Sequence, residues 1–139
     1  MPEELPCQPA VRRALAQWHH MVAAKELGGL EALLADDVTF RSPMAHKPYE
    51  GVGLTATILR TVLQVFEDFA YHRQLCSADG LNVVLEFSAR VGTRQLKGVD
   101  LIRFDAEGQI REFEVMVRPM SGLQALGEAM AQRLAGTLG

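Results

Sequence analysis

The sequence predicts an α+β fold, with helices packed on one face of an antiparallel sheet. Three observations carry that expectation. Apolar residues recur at helical spacing in the first half of the chain. From Asp68 to Pro119 the pattern changes to period two, broken by Gly-containing turns. After Pro119 the helical spacing returns. Helices grouped ahead of a strand meander imply helices segregated to one sheet face.

Pro9 suits the first turn of a helix. Val11, Ala14, Leu15, Trp18, Met21 and Val22 then mark an amphipathic stripe. Gly28-Gly29 punctuates it. A short second helix is expected over Leu30 to Ala35, stopped by Asp36-Asp37. Val38 to Ser42 alternates as a strand, and Pro43 ends it. Residues 43–52 read as a loop. A third helix is expected from Leu54 to Phe66, with Ile58, Leu59, Val62, Leu63 and Phe66 on its buried stripe. Strands follow at Phe69 to Leu75, Leu81 to Val91, Gln95 to Phe104 and Gln109 to Arg118. Their turns are Ala78-Asp79-Gly80, Gly92-Thr93 and Asp105 to Gly108. Pro119 blocks the last strand. A closing helix spans Ser121 to about Leu134, with Leu123, Leu126, Met130 and Leu134 on one face.

The chain has 139 residues, 48% hydrophobic and 22% charged, with a net charge of -3. That length suits a single domain, 1–139, with residues 1–8 as a flexible leader. The weak charge and the absence of a basic run give no reason to expect a nucleic-acid or anionic-membrane partner. The first residues carry acids and prolines where a signal peptide has cations and an apolar stretch. A cytoplasmic protein is therefore expected. Cys7 and Cys76 have no metal or redox spacing and read as free structural thiols. No metal and no cofactor are expected. Gly51-Val-Gly53 is too short a signal for a phosphate loop. His19 and His20 diverge by about 100° on their helix, so they form no metal pair. His46 reads as a loop side chain at a pocket mouth, and the face of His72 is open.

Leu33-Leu-Ala-Asp-Asp-Val-Thr-Phe40 followed by Ser42-Pro43 resembles the helix-to-strand motif of the nuclear transport factor 2-like superfamily, SnoaL-like group. Tyr49-Glu-Gly51, and Val99 to Asp105 with Gly108-Gln-Ile110, resemble the same group, in the same order. The resemblance implies a cone-shaped curved sheet wrapped on helices around a cavity for a small apolar molecule. It also implies a homodimer through the outer sheet face. The superfamily hosts isomerases, cyclases, epoxide hydrolases and non-catalytic binding domains, so the fold leaves the activity open.

Alternation assigns the faces. Leu85, Phe87, Ala89 and Val91 oppose Glu86, Ser88 and Arg90. Phe113, Val115 and Val117 oppose Glu112, Glu114, Met116 and Arg118. The apolar sets face the helices, because exposure forfeits about 25 cal/mol per Å². Between them, Asp100 shares a face with Ile102 and Phe104. Phe40 and Ser42 face the same way, and Trp18 and Phe66 enter from helices. The expected wall is Trp18, Phe40, Ser42, Phe66, Leu85, Phe87, Ile102, Phe113 and Val115, with Asp100 as its acid. The outward face carries Glu86, Arg90, Arg103, Glu112, Glu114, Met116 and Arg118, which suits a polar two-fold contact.

Asp100 matches the pocket acid of ketosteroid isomerases in this resemblance. A carboxyl group in an apolar cavity has a raised pKa and, when neutral, donates a hydrogen bond to an oxyanion. The general base of those isomerases falls at Ser42, and their oxyanion-donating tyrosine falls at Trp18. Neither residue replaces the proton transfer. Limonene-type epoxide hydrolases need two inward carboxylates, whereas here Glu86 turns outward and Val115 takes the other place. SnoaL-like polyketide cyclases need only one pocket Asp. The reading is a small-molecule pocket protein acting on an apolar carbonyl or polyketide-like compound through Asp100. The alternative is a carrier or sensor without catalysis.

Overall fold

A computed structural model describes residues 6–135. Helix α1 spans Pro9–Ala24, with the proline in its first turn. It ends on Lys25, whose left-handed backbone (φ 53) returns its N–H to the carbonyls of Met21 and Val22. Its buried residues are Val11, Ala14, Leu15 and Trp18. Strands β1 (Leu34–Arg41) and β2 (Tyr49–Glu50) precede helix α2 (Val52–Val65). Strands β3 (Glu67–Cys76), β4 (Asn82–Val91), β5 (Arg94–Phe104) and β6 (Ile110–Arg118) form the meander, and helix α3 (Met120–Arg133) closes it.

The sheet order is β2-β1-β6-β5-β4-β3. Strands β3 to β6 pair antiparallel, as the period-two pattern predicts. The β1–β6 pairing is parallel, so the curved sheet is mixed rather than wholly antiparallel. The long connection through β2, α2 and the meander makes that orientation possible, since a parallel neighbour cannot be reached by a hairpin. The expected helix over Leu30 to Ala35 is a 3-10 turn, Leu30–Leu33. Asp36-Asp37 does not stop a helix. These two residues lie exposed within β1, where the pairing with β6 shifts register. The stretch Leu30 to Ala35 is too short for periodicity to separate a helix from a strand.

Burial follows the predicted alternation closely in β5. Gly98, Asp100, Ile102 and Phe104 are buried, while Val99, Leu101 and Arg103 are more exposed. Leu85 faces Asp100 across the β4–β5 ladder, and Val115 faces it from β6. Helical and strand residues share one core that includes Val11, Leu15, Trp18, Leu59, Phe87, Ile102 and Phe113. The leader expected over 1–8 falls outside the described residues for 1–5. Cys7 is buried, and Gln8 donates its backbone N–H to the Gly80 carbonyl at 3.1 Å. No helix among the described residues is long and apolar enough to cross a membrane.

Candidate functional site

A cavity of about 370 Å³ lies between the inward sheet face and helices α2 and α3. Ile58, Leu59, Val62 and Leu63 of α2 form one wall. Leu126, Gly127 and Met130 of α3 form another. The sheet supplies Phe40, Phe113, Val115, Phe69, Tyr71 and Asp100. Asp100 is the single carboxylate among these lining residues. It is 5% exposed.

Tyr71 of β3 is the partner of Asp100. Its hydroxyl donates to Asp100 Oδ2 at 2.7 Å. The Trp18 indole N–H donates to the same hydroxyl oxygen at 2.9 Å. The phenol therefore has its proton directed at the carboxylate and its oxygen held by Trp18. Aromatic neighbours fix the ring: Phe69 and His19 meet it edge-on at 4.8 and 5.1 Å. Burial, then the neighbouring Asp100 charge, pushes the Tyr71 phenol well above its ordinary value. It stays a donor at neutral pH. Burial pushes Asp100 up from 3.8 to about 7, and the Tyr71 hydrogen bond pulls it partly back. The carboxyl is thus balanced between its two protonation states near neutrality. Its Oδ2 carries the bond to Tyr71.

Of the wall expected from the sequence, Trp18, Phe40, Ser42, Phe66, Phe113 and Val115 line the cavity together with Asp100. Leu85, Phe87 and Ile102 do not. Their side chains point to the helical side as expected, but they are sealed in the core behind the wall. The Phe87 ring packs on Phe66 and Phe69 at 5.5 and 5.2 Å, so those rings stand where Phe87 was expected. Ser42 is on the wall, but its Oγ accepts the Met44 backbone N–H at 3.0 Å, closing a local turn. Glu86 faces outward, held by Arg73 at 2.6 Å and Lys97 at 3.3 Å. The bond from Arg73 is the main reason its carboxyl sits down at about 2. His46 is exposed and not on the wall, and His72 bonds Ser88 at 2.7 Å.

Tyr71 is the residue that sequence reasoning missed, and a signal for it exists. Phe69 and Tyr71 alternate with Ala70 and His72, which marks the aromatic pair as inward. Extending that alternation puts Arg73 inside, which confuses the assignment. The structure resolves this with a register shift between Tyr71 and Gln74. His72 and Arg73 both lie on the outer face, on Ser88 and Glu86, while Gln74 returns to bond His19 on α1 at 2.6 Å.

The mouth of the cavity is rimmed by Met44, Ala131 and Ala135, which line it and are also exposed. Met44 is 50% exposed and seats its methyl group against Gly127, where any Cβ would stand 2.2 Å from Met44 Cε. Among the described residues, no group of three His, Cys, Asp or Glu side chains is placed to hold a metal ion.

The fold and this wall define a class before any activity. The profile of the SnoaL-like domain matches residues 15–113, and the chain belongs to that family. Among solved structures, it is similar to a steroid delta-isomerase from Pseudomonas aeruginosa. The two are 64% identical with a TM-score of 0.94, over 97% of this chain and 98% of the other. It is also similar to an uncharacterized protein with a cystatin-like fold from Silicibacter pomeroyi. There the identity is 35% and the TM-score 0.85, over 94% and 91% of the two chains. An NTF2-like protein of unknown function from Cytophaga hutchinsonii shares the fold at 17% identity and TM-score 0.63, over 87% and 97%. No curated protein matches the chain.

Proposed function

We propose that this protein is an enzyme acting on a small, uncharged, apolar carbonyl compound, with Asp100 as the group that moves or shares the proton. The observation that carries this is the placement of one carboxyl group in an otherwise apolar cavity, with one oxygen fixed by Tyr71. A group balanced near neutral pH is suited to general acid–base work. The cavity volume lies at the small end of the range for ligand pockets, enough for one compact ring compound. The likeness to a steroid delta-isomerase makes a steroid the first ligand to try. Because Asp100 is the single acid on the wall, it serves alone, without the paired carboxylates of two-acid mechanisms.

The test is turnover of unsaturated ketosteroids, smaller enolisable ketones and polyketide-like compounds by the wild type and by Asp100→Asn. Loss of about 10²- to 10⁴-fold is expected in the variant. Equal turnover in both proteins rules out proton transfer by Asp100. The pH profile then separates two roles. A base requires the carboxylate, so the rate rises through about pH 7, whereas an acid or oxyanion donor requires the neutral form, so the rate falls there. A second reading, a carrier without catalysis, is favoured by Ser42, whose Oγ is engaged by Met44 rather than aimed as a base. It predicts quenching of Trp18 fluorescence by a ligand recovered unchanged.

We also infer a homodimer through the outer sheet face. Support comes from its interspersed charges, among them Arg41 and Arg103 on either side of Glu112, together with the half-exposed Met116.

A further inference from the structure

The hydrogen-bond chain that ends at Asp100 has a fixed direction. Trp18 comes from α1, Tyr71 from β3 and Asp100 from β5, with β4 between the two strands. An indole has one N–H to donate and accepts nothing. Trp18 is 2% exposed, and its ring meets Phe113 edge-on at 5.5 Å. Its N–H points at the Tyr71 oxygen, 2.9 Å away. The phenol proton must turn away from that N–H, and it finds Asp100 Oδ2 at 2.7 Å. The Tyr71 ring is held as well, since His19, Phe69 and Phe87 all stand nearly at right angles to it. A phenol free to turn can donate to a carboxylate or accept from a neutral carboxyl group. Tyr71 keeps only the first option at Oδ2, because accepting there would aim its own proton at Trp18 or at no acceptor.

We propose that Tyr71 is a positioning residue that holds Asp100 as a carboxylate, so that Asp100 works as a base, and that Trp18 holds Tyr71 to that role. The inference rests on Asp100 being the group that moves the proton, and it chooses between the two roles left to that group. A hydrogen bond to a charged acceptor is about twice as strong as one to a neutral acceptor. A fixed donor on Oδ2 thus favours the charged form and opposes the burial that pushes Asp100 up to about 7. In the step it serves, a C–H bond beside a carbonyl breaks. The proton goes to Asp100, and the electron pair moves onto the carbonyl oxygen.

The other titratable groups near the pair are few. Tyr49 of β2 is the one that shares the cavity wall with Tyr71 and Asp100. The wall residues from α2 and α3 are uncharged. Leu85 and Val115 flank Asp100 on β4 and β6. His19 of α1 lies against the Tyr71 ring and is tied to Gln74 of β3 at 2.6 Å.

The experiment has one arm without substrate and one with it. In the first, NMR follows the Asp100 carboxyl carbon of the ligand-free protein through a pH titration, its signal assigned by loss in Asp100→Asn. Tyr71→Phe should raise the midpoint by about 1 pH unit or more, a roughly tenfold tighter hold on the proton. Trp18→Phe should raise it by less. A ring-fluorinated tyrosine placed at 71, a stronger donor of nearly the same shape, should lower it, and this variant carries the test where either Phe variant fails to fold. His19→Asn should leave it in place. In the second arm, an unsaturated ketosteroid or enolisable ketone that the wild type converts is given to Tyr71→Phe. Its rate should be about tenfold below wild type near pH 6 and equal to it near pH 9, with KM unchanged. Recovery at high pH is a result that mere damage to the wall does not give. Four outcomes overturn the inference: a midpoint that neither Tyr71 variant moves, a His19→Asn shift as large as that of Tyr71→Phe, a wild-type rate that falls as pH rises, or a loss that high pH does not restore. Equal turnover by wild type and Asp100→Asn overturns the enzymatic reading instead, and the titration still reads the hydrogen-bond chain.

Discussion

Asp100 couples the site to stability. The unfolded chain binds its proton with an ordinary carboxyl value near 3.8, and the folded chain holds it to about 7. Below about pH 4 both states are protonated and the group is neutral in effect. Between pH 4 and 7 the folded state retains more protons, so stability falls as pH rises, and above 7 the loss is complete. Charging Asp100 destabilises the fold by about 4 kcal/mol in this linkage. Denaturation of the empty protein at pH 4 and pH 8 should show that fall, over and above the effect of its other groups. In Asp100→Asn the contribution disappears, because the amide keeps an acceptor for Tyr71 and carries no charge. The variant should match the wild type below about pH 4 and exceed it by a growing margin up to pH 8. Equal pH slopes in the two proteins would contradict burial of the charge. Alternation made Asp100 legible from the sequence, since its neighbours Ile102 and Phe104 are strongly apolar. It could not show Tyr71, the partner that fixes one carboxylate oxygen.

The meander was the readable part of the chain at the level of elements. Three strands of alternation, β4 to β6, each ended by a glycine turn or a proline, set both order and facing. The element that defied the pattern is β3, where a strict period two would place the exposed Leu75 on the face of Tyr71. A register shift removes that conflict, and such shifts leave no composition signal. Helix α3 illustrates a different limit. Its apolar face was legible, but periodicity does not say which cavity wall that face completes. Neighbouring strands show how tightly the floor beneath the wall is built. A Cβ on Gly98 would lie 2.4 Å from the Met116 carbonyl oxygen and 2.6 Å from Phe87 Cζ. Gly98→Ala therefore forces Phe87 off β5 and against Phe69 and Tyr71. A loss of about 1–3 kcal/mol in denaturant unfolding is expected, as for an overpacked core. A variant as stable as the wild type would show that the sheet can yield at this point.

At the scale of the molecule, the cavity and the outer sheet face lie on opposite sides of one layer. An association through the outer face leaves the mouth free, since Met44 and the α3 residues at the rim project from the other side. Equilibrium sedimentation should find a dimer, and Met116→Lys should weaken it at least tenfold, by setting a desolvated cation at the two-fold contact. A monomer at every concentration would refute the association. The family was legible in the order of short motifs, each placed by the same backbone needs. Whether the cavity catalyses was not, because that depends on which few side chains meet at one end of it.

The seat of Met44 against Gly127 also bears on time. A ligand passing the rim must displace a side chain with three rotatable bonds rather than peel away a stretch of backbone. Exposed side chains change rotamer within nanoseconds. Passage at this threshold is thus paced by the collision rate on the way in and by contacts with the wall on the way out. Residence time becomes a property of the aromatic lining, and the entrance adds no slow step of its own.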